Sequence, residues 1–126
     1  MSVIFEWLDN YQINHQLIDE QHKQLFVLAH QIVESDGDVE KLKGSIMDLY
    51  AYTRVHFRAE EGLMKKSDYP KKTEHIAMHD NMLSMLNDLS LNLKPDSTII
   101  KKLQIFMMEW LLVHIQTEDV KLAKYL

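Results

Sequence analysis

Six side chains lie where helical periodicity calls for apolar ones. His22, His56, Glu60, His75, His79 and His114 each fall on a stripe of otherwise mostly Ile, Leu, Ala, Met or Trp residues. A buried carboxylate is costly unless it is paired or bound to a metal, and a buried imidazole needs partners for its ring nitrogens. A single His on an apolar face is usually a satisfied core residue, and one i,i+4 His pair arises easily by chance. Five His and one Glu at a common depth are not explained that way, and metal ligation is the chemistry that selects these types together. Imidazole and carboxylate without thiolate suit Fe, Mn, Zn or Cu. A zinc hydrolase of the H-E-x-x-H type does not fit, because Ile76 follows His75. The carboxylate-rich di-iron bundles place Glu three residues before His, and no such pair occurs here.

The common depth follows from the elements that carry these residues. Turn-rich stretches at 35–38, 67–70 and 93–97 divide the chain into four periodic segments, 18–34, 39–66, 70–91 and 98–115. Asp38 and Asp96 or Ser97 are the expected N-caps, and Pro70 suits a first helical turn. The stripes read Ile18, His22, Leu25, Ala29, Ile32; then Leu42, Ile46, Leu49, Thr53, His56, Glu60, Leu63 or Met64; then His75, His79, Met82, Leu86, Leu89; then Ile100, Leu103, Met107, Trp110, His114. Four amphipathic helices with short connections predict an all-α fold, an antiparallel up-down four-helix bundle. In that topology the start of the first and third helices meets the end of the second and fourth, which brings His22, His56, His75 and His114 to one end. Residues 1–17 are expected to form an extended arm with Trp7 and Tyr11 on the bundle, 18–116 the bundle, and 117–126 a short helical extension, all in one domain spanning 1–126.

Composition narrows the remaining classes. The 126 residues include seven His, three Gly, two Pro and no Cys, which removes disulfide scaffolds, thiolate metal sites and cysteine nucleophiles. A formal charge of −5 argues against nucleic acid and against a polybasic membrane contact. With no signal-like start and no long apolar run, a cytoplasmic protein is expected.

The segments IDEQHKQL (18–25), HFRAEE (56–61), HIAMH (75–79) and HIQTED (114–119) resemble the motifs of the hemerythrins, in particular the single-domain bacterial type, and the resemblance covers essentially the whole chain. It implies a non-haem, oxo- or hydroxo-bridged centre of two Fe ions. His75, His79 and His114 would hold one iron, His22 and His56 the other, and Glu60 and Asp119 would bridge them. Asp119 lies five residues after His114, about 140° off its face on a regular helix. Glu118 fits regular geometry better, whereas the motif favours Asp119 and so requires the helix to distort or end after His114. Set against two octahedral ions with about twelve positions, these donors leave one position open, on the iron with only two His. The resemblance implies that O2 binds there reversibly, within a lining of Leu25, Phe57, Trp110, Leu111 and Ile115. A donor set with only two charged members disfavours oxidation of the irons beyond the ferric state, and a dry lining slows proton delivery.

The expected function is therefore O2 storage, delivery or sensing rather than catalysis. The alternatives are a di-iron enzyme acting on O2, peroxide or nitric oxide, and an iron store or scavenger. The partner protein, an oxygen user or electron donor, stays unspecified. Tyr52, one turn before His56, is the proton donor that would favour an enzyme. His15 and His30 match no ligand position and are read as surface or capping residues. Met78, Met82 and Met85 are read as adaptable core and flank, and Lys65, Lys66, Lys71 and Lys72 as a solvated corner. Asp19 and Glu20 could orient His22, though acids in a first helical turn need no such role.

Overall fold

The computed structural model describes residues 5–35, 38–91, 93 and 97–126, leaving aside the side chains of Ser97, Ile99 and Ile100. The first two long helices start where a side chain satisfies a free backbone N–H group. Before α1 (Gln16–Glu34), Asn14 takes a left-handed φ of 61°, and His15 caps the helix by accepting from the Ile18 N–H through Nδ1 at 3.3 Å. Asp19 closes the same corner by accepting the N–H groups of Ile13 at 2.8 Å and His15 at 3.2 Å. The expected capping role of His15 is thus what the structure shows, while Asp19 secures the N-terminal segment instead of His22. Asp38 caps α2 (Val39–Ser67) by accepting from the Lys41 N–H at 3.1 Å. That helix stops at Asp68, whose left-handed backbone directs its N–H to the Met64 carbonyl.

The next helix, α3 (Lys72–Leu91), starts two residues later than expected. Pro70 lies in the preceding turn, which the Lys72 N–H closes on the Tyr69 carbonyl at 3.2 Å. The last helix begins as α4 (Ser97–Met107) and continues without a break as a π-helix (Met108–Asp119), followed by α5 (Val120–Ala123). The N-cap expected at Asp96 or Ser97 and the inward Ile100 fall outside the described residues.

These helices close into a ring. α1 packs on α2, α2 on α3, α3 on α4, and α4 with its π-helical continuation returns to α1. The stripes face inward as their spacing predicts. Ile18, Leu25, Ala29 and Ile32 from α1, Leu42, Ile46, Leu49 and Phe57 from α2, Leu86 from α3, and Leu103, Met107, Trp110 and Leu111 from the fourth helix are all buried. Of the alternatives at the end of α2, Met64 is buried and Leu63 half-buried; Met82 and Leu89 reach the core only partly. A smaller apolar cluster of Met64, Tyr69 and Leu122 closes the end of the bundle where α2 turns into α3. Trp7 and Tyr11 pack on Phe26, with ring centroids 5.6 and 5.4 Å away. No described helix is long and apolar enough to cross a membrane.

Candidate metal centre

Between the main core and the Met64 cluster lies a layer made almost entirely of polar side chains. His22 comes from α1, His56 and Glu60 from α2, His75 and His79 from α3, and His114 and Asp119 from the π-helix; all seven are buried. The i,i+4 pairs on α2 and α3 face one side, as regular helical spacing requires. The pair His114 and Asp119 depends on the π-helix. Hydrogen bonding from i to i+5 widens each turn by one residue and stacks Asp119 above His114. The distortion, not an end to the helix, is what brings Asp119 inward. Glu118 instead points to the rim, 23% exposed and paired with Lys121 at 3.4 Å.

The two carboxylates divide the imidazoles into two groups. Glu60 directs Oε2 to Nε2 of His56 at 2.8 Å and of His22 at 3.5 Å, and Oε1 to Nε2 of His75 at 3.1 Å and of His79 at 3.3 Å. Asp119 directs Oδ2 to Nε2 of His22 at 3.1 Å, and Oδ1 to Nε2 of His75 at 3.2 Å and of His114 at 3.4 Å. Each carboxylate therefore directs one oxygen to the side of His22 and His56 and the other to the side of His75, His79 and His114, with Glu60 meeting His75 and His79 there and Asp119 meeting His75 and His114. Two sets of donors result, each tight enough to surround one ion: His22, His56, Glu60 and Asp119, and His75, His79, His114 and Asp119.

Among these approaches His75 Nε2 and Glu60 Oε1 share a hydrogen bond at 3.1 Å, but most of the facing atoms do not pair in this way. Nε2 of His22, His79 and His114, Oε2 of Glu60 and Oδ1 of Asp119 are all buried without a hydrogen-bond partner among the described residues. So many orphaned polar atoms in one layer would be strongly destabilising in a metal-free core. As a donor set aimed at two cations they are all accounted for, so the residues present fit a binuclear metal group. Without metal, charge pairing must compensate. Burial alone would push the imidazolium of His22 down, but the carboxylates of Asp119 and Glu60 outweigh it and raise the pKa to about 9; His75 is raised to about 9 by the same balance. Burial likewise pushes Glu60 up, and the imidazoles of His56, His22 and His75 bring it well below the ordinary carboxylate range. For Asp119 burial and the Glu60 charge act upward, and His114, His22 and His75 prevail and lower it.

A family model for the Hemerythrin HHE cation binding domain matches residues 14–126. The chain belongs to the hemerythrin family. Among hemerythrin relatives, a hemerythrin-like protein of Naegleria gruberi is 29% identical over 93% of this chain and 89% of its own length. A bacteriohemerythrin of Stenotrophomonas maltophilia is 25% identical, covering 90% and 75%. A myohemerythrin of Sipunculus nudus is 28% identical, covering 93% and 89%. A di-iron, oxygen-binding type of protein is what membership in the hemerythrins implies.

Two further residues support the layer and were not singled out from the sequence. Gln21 places Oε1 2.7 Å from Nδ1 of His56, and Glu61 places Oε2 3.1 Å from Nδ1 of His79. An acceptor at Nδ1 keeps the proton there and leaves the Nε2 lone pair free to ligate. Both residues lie inside the hemerythrin motifs, at the positions before His22 and after Glu60, and that adjacency was the available signal. His30 pairs with Glu34 at 2.7 Å on the surface. Tyr52 is half-buried, with its phenol pKa raised by burial and by the charge of Glu20.

Proposed function

We propose that this chain is a non-haem di-iron protein that binds O2 reversibly, for oxygen storage, delivery or sensing. His75, His79 and His114 would hold one iron, His22 and His56 the other, with Glu60 and Asp119 bridging. The observation that carries this reading is the division of each carboxylate's two oxygens between the two His groups. The metal pair, when bound, supplies the reversible electron exchange that O2 binding requires.

The protein's share is to place donors and exclude water. Leu25, Phe57, Trp110, Leu111 and Ile115 are 0–2% exposed and belong to one apolar cluster. Phe57 stacks on the ring of His79 at 3.7 Å and 2°, and its far side meets Trp110 edge-on at 5.8 Å. None of the five side chains carries an ionisable group, so no acid stands on this side of the rings, which favours binding over turnover there. The test is anaerobic reconstitution with Fe(II), metal analysis, and a visible spectrum followed through oxygen and argon cycles. Two irons per chain and a band that comes and goes with oxygen support the proposal. Irreversible oxidation in the first cycle, or sustained consumption of nitric oxide or peroxide, counts against it.

Two substitutions separate the roles. Leu111→Ala opens a cavity in a fully buried position at a cost of about 2–5 kcal/mol of stability. It should retain both irons yet lose the oxygen-dependent band faster over repeated cycles, roughly tenfold for each 1.4 kcal/mol taken from the barrier. Glu61→Gln replaces a charged acceptor at His79 with a neutral one. It should weaken metal binding by about 10–100-fold in a chelator competition, while the circular dichroism spectrum stays helical.

A further inference from the structure

A cavity of about 360 Å³ opens at the end of the bundle beside α3 and α5, with His75 in its wall. His75 is only 2% exposed. Its Nε2 faces Glu60 and Asp119 at 3.1 and 3.2 Å, while its Nδ1 is buried with no hydrogen-bond partner among the described residues. His56 and His79 differ, since Gln21 and Glu61 hold their Nδ1 atoms. The ring of His75 is thus a member of the cluster that borders this cavity without such a tether. At the mouth stand Glu74 and Glu118, with Lys121 on Glu118 at 3.4 Å and Lys71 beside them. A divalent ion with six waters needs roughly 180 Å³ at the volume water occupies in the liquid. The cavity holds that with room for the ring to turn.

We propose that this cavity is the passage by which hydrated divalent metal ions reach the buried layer. The inference rests on the metal-centre reading above. Glu74, whose carboxylate is not engaged by Lys121, receives the ion at the mouth; His75 turns about its side-chain bonds, exchanges one bound water for Nε2, and swings back to Glu60 and Asp119. The Nε2 proton of His75 passes to solvent in the cavity, metal–water bonds give way to metal–nitrogen and then metal–carboxylate bonds, and the released waters leave by the same opening. Lys71 opposes entry, and its charge sets how fast an ion arrives.

The experiment follows Co2+ uptake by chelator-stripped protein in a stopped-flow spectrometer, with bound cobalt counted at the end. Glu74→Lys should slow the initial uptake about tenfold at low salt, and Lys71→Glu should speed it several-fold. Both variants should reach the same final cobalt content as the parent, with differences shrinking as salt is added. A general disturbance of the fold cannot give opposite signs at two neighbouring positions. Equal rates, within about twofold, for parent and both variants overturn the passage while leaving the metal centre intact. A parent chain that binds no cobalt overturns the metal centre and the passage with it.

Discussion

Glu60→Gln is expected to abolish binding of the metal pair while the bundle still folds. Glu60 is fully buried and approaches four imidazoles from three helices, using both oxygens. Glutamine has nearly the same volume, so the packing around position 60 is preserved. It loses the negative charge, and its amide nitrogen is no ligand, so position 60 offers a donor oxygen to only one of the two groups of imidazoles and the other keeps that of Asp119 alone. Breaking a buried charge pair by removing one partner costs about 3–5 kcal/mol, equivalent to roughly 10²–10⁴ in affinity. Metal analysis after gel filtration should find at most one ion per chain. Two ions held as tightly as in the parent protein would refute the ligand assignment.

Stripping the metal from the intact chain is expected to have the other large effect, on stability and on its dependence on pH. A ligand that binds only the folded state at a thousand times its Kd stabilises by about 4 kcal/mol. For a domain of this length that corresponds to roughly 10–20 °C in Tm. The stripped chain must then rely on its charge pairs. His22 and His75 have folded pKa values raised to about 9, from 6.5. Their contribution is complete below pH 6.5 and fades as pH rises to about 9. Glu60 and Asp119 are lowered, so their contribution is present above the ordinary carboxylate range and fades as pH falls through it. Thermal melts of stripped protein should therefore lose stability between pH 6.5 and 9, whereas the loaded protein, its imidazoles held neutral by metal, should stay nearly level. A stripped chain with a Tm equal to that of the loaded one at pH 9 would contradict both the metal binding and the charge pairing.

Much of this was legible in the residues. The four helices, the inward stripes and the end of the bundle at which His22, His56, His75 and His114 meet follow from period and punctuation, because regular helices convert spacing into direction with little ambiguity. The small misreadings lie at boundaries. Pro70 satisfies the rule for a first helical turn, yet the chain spends two more residues turning after the left-handed Asp68 before α3 begins. For Asp19 the sequence left open an orienting role at His22 or none, and the sharp entry into α1 makes its carboxylate the acceptor for the N–H groups of Ile13 and His15.

The sequence by itself determined which residue types populate the layer and on which helical faces they lie, since that information is local and periodic. The resemblance favoured Asp119 over Glu118, but tertiary structure decided how it turns inward, because a regular helix and a π-helix of the same residues aim different side chains at the core. It also decided which carboxylate oxygen faces which imidazole, and that Gln21 and Glu61 hold two rings while His75 stands beside a cavity. Those are relations between segments far apart in the chain, and no local pattern encodes them.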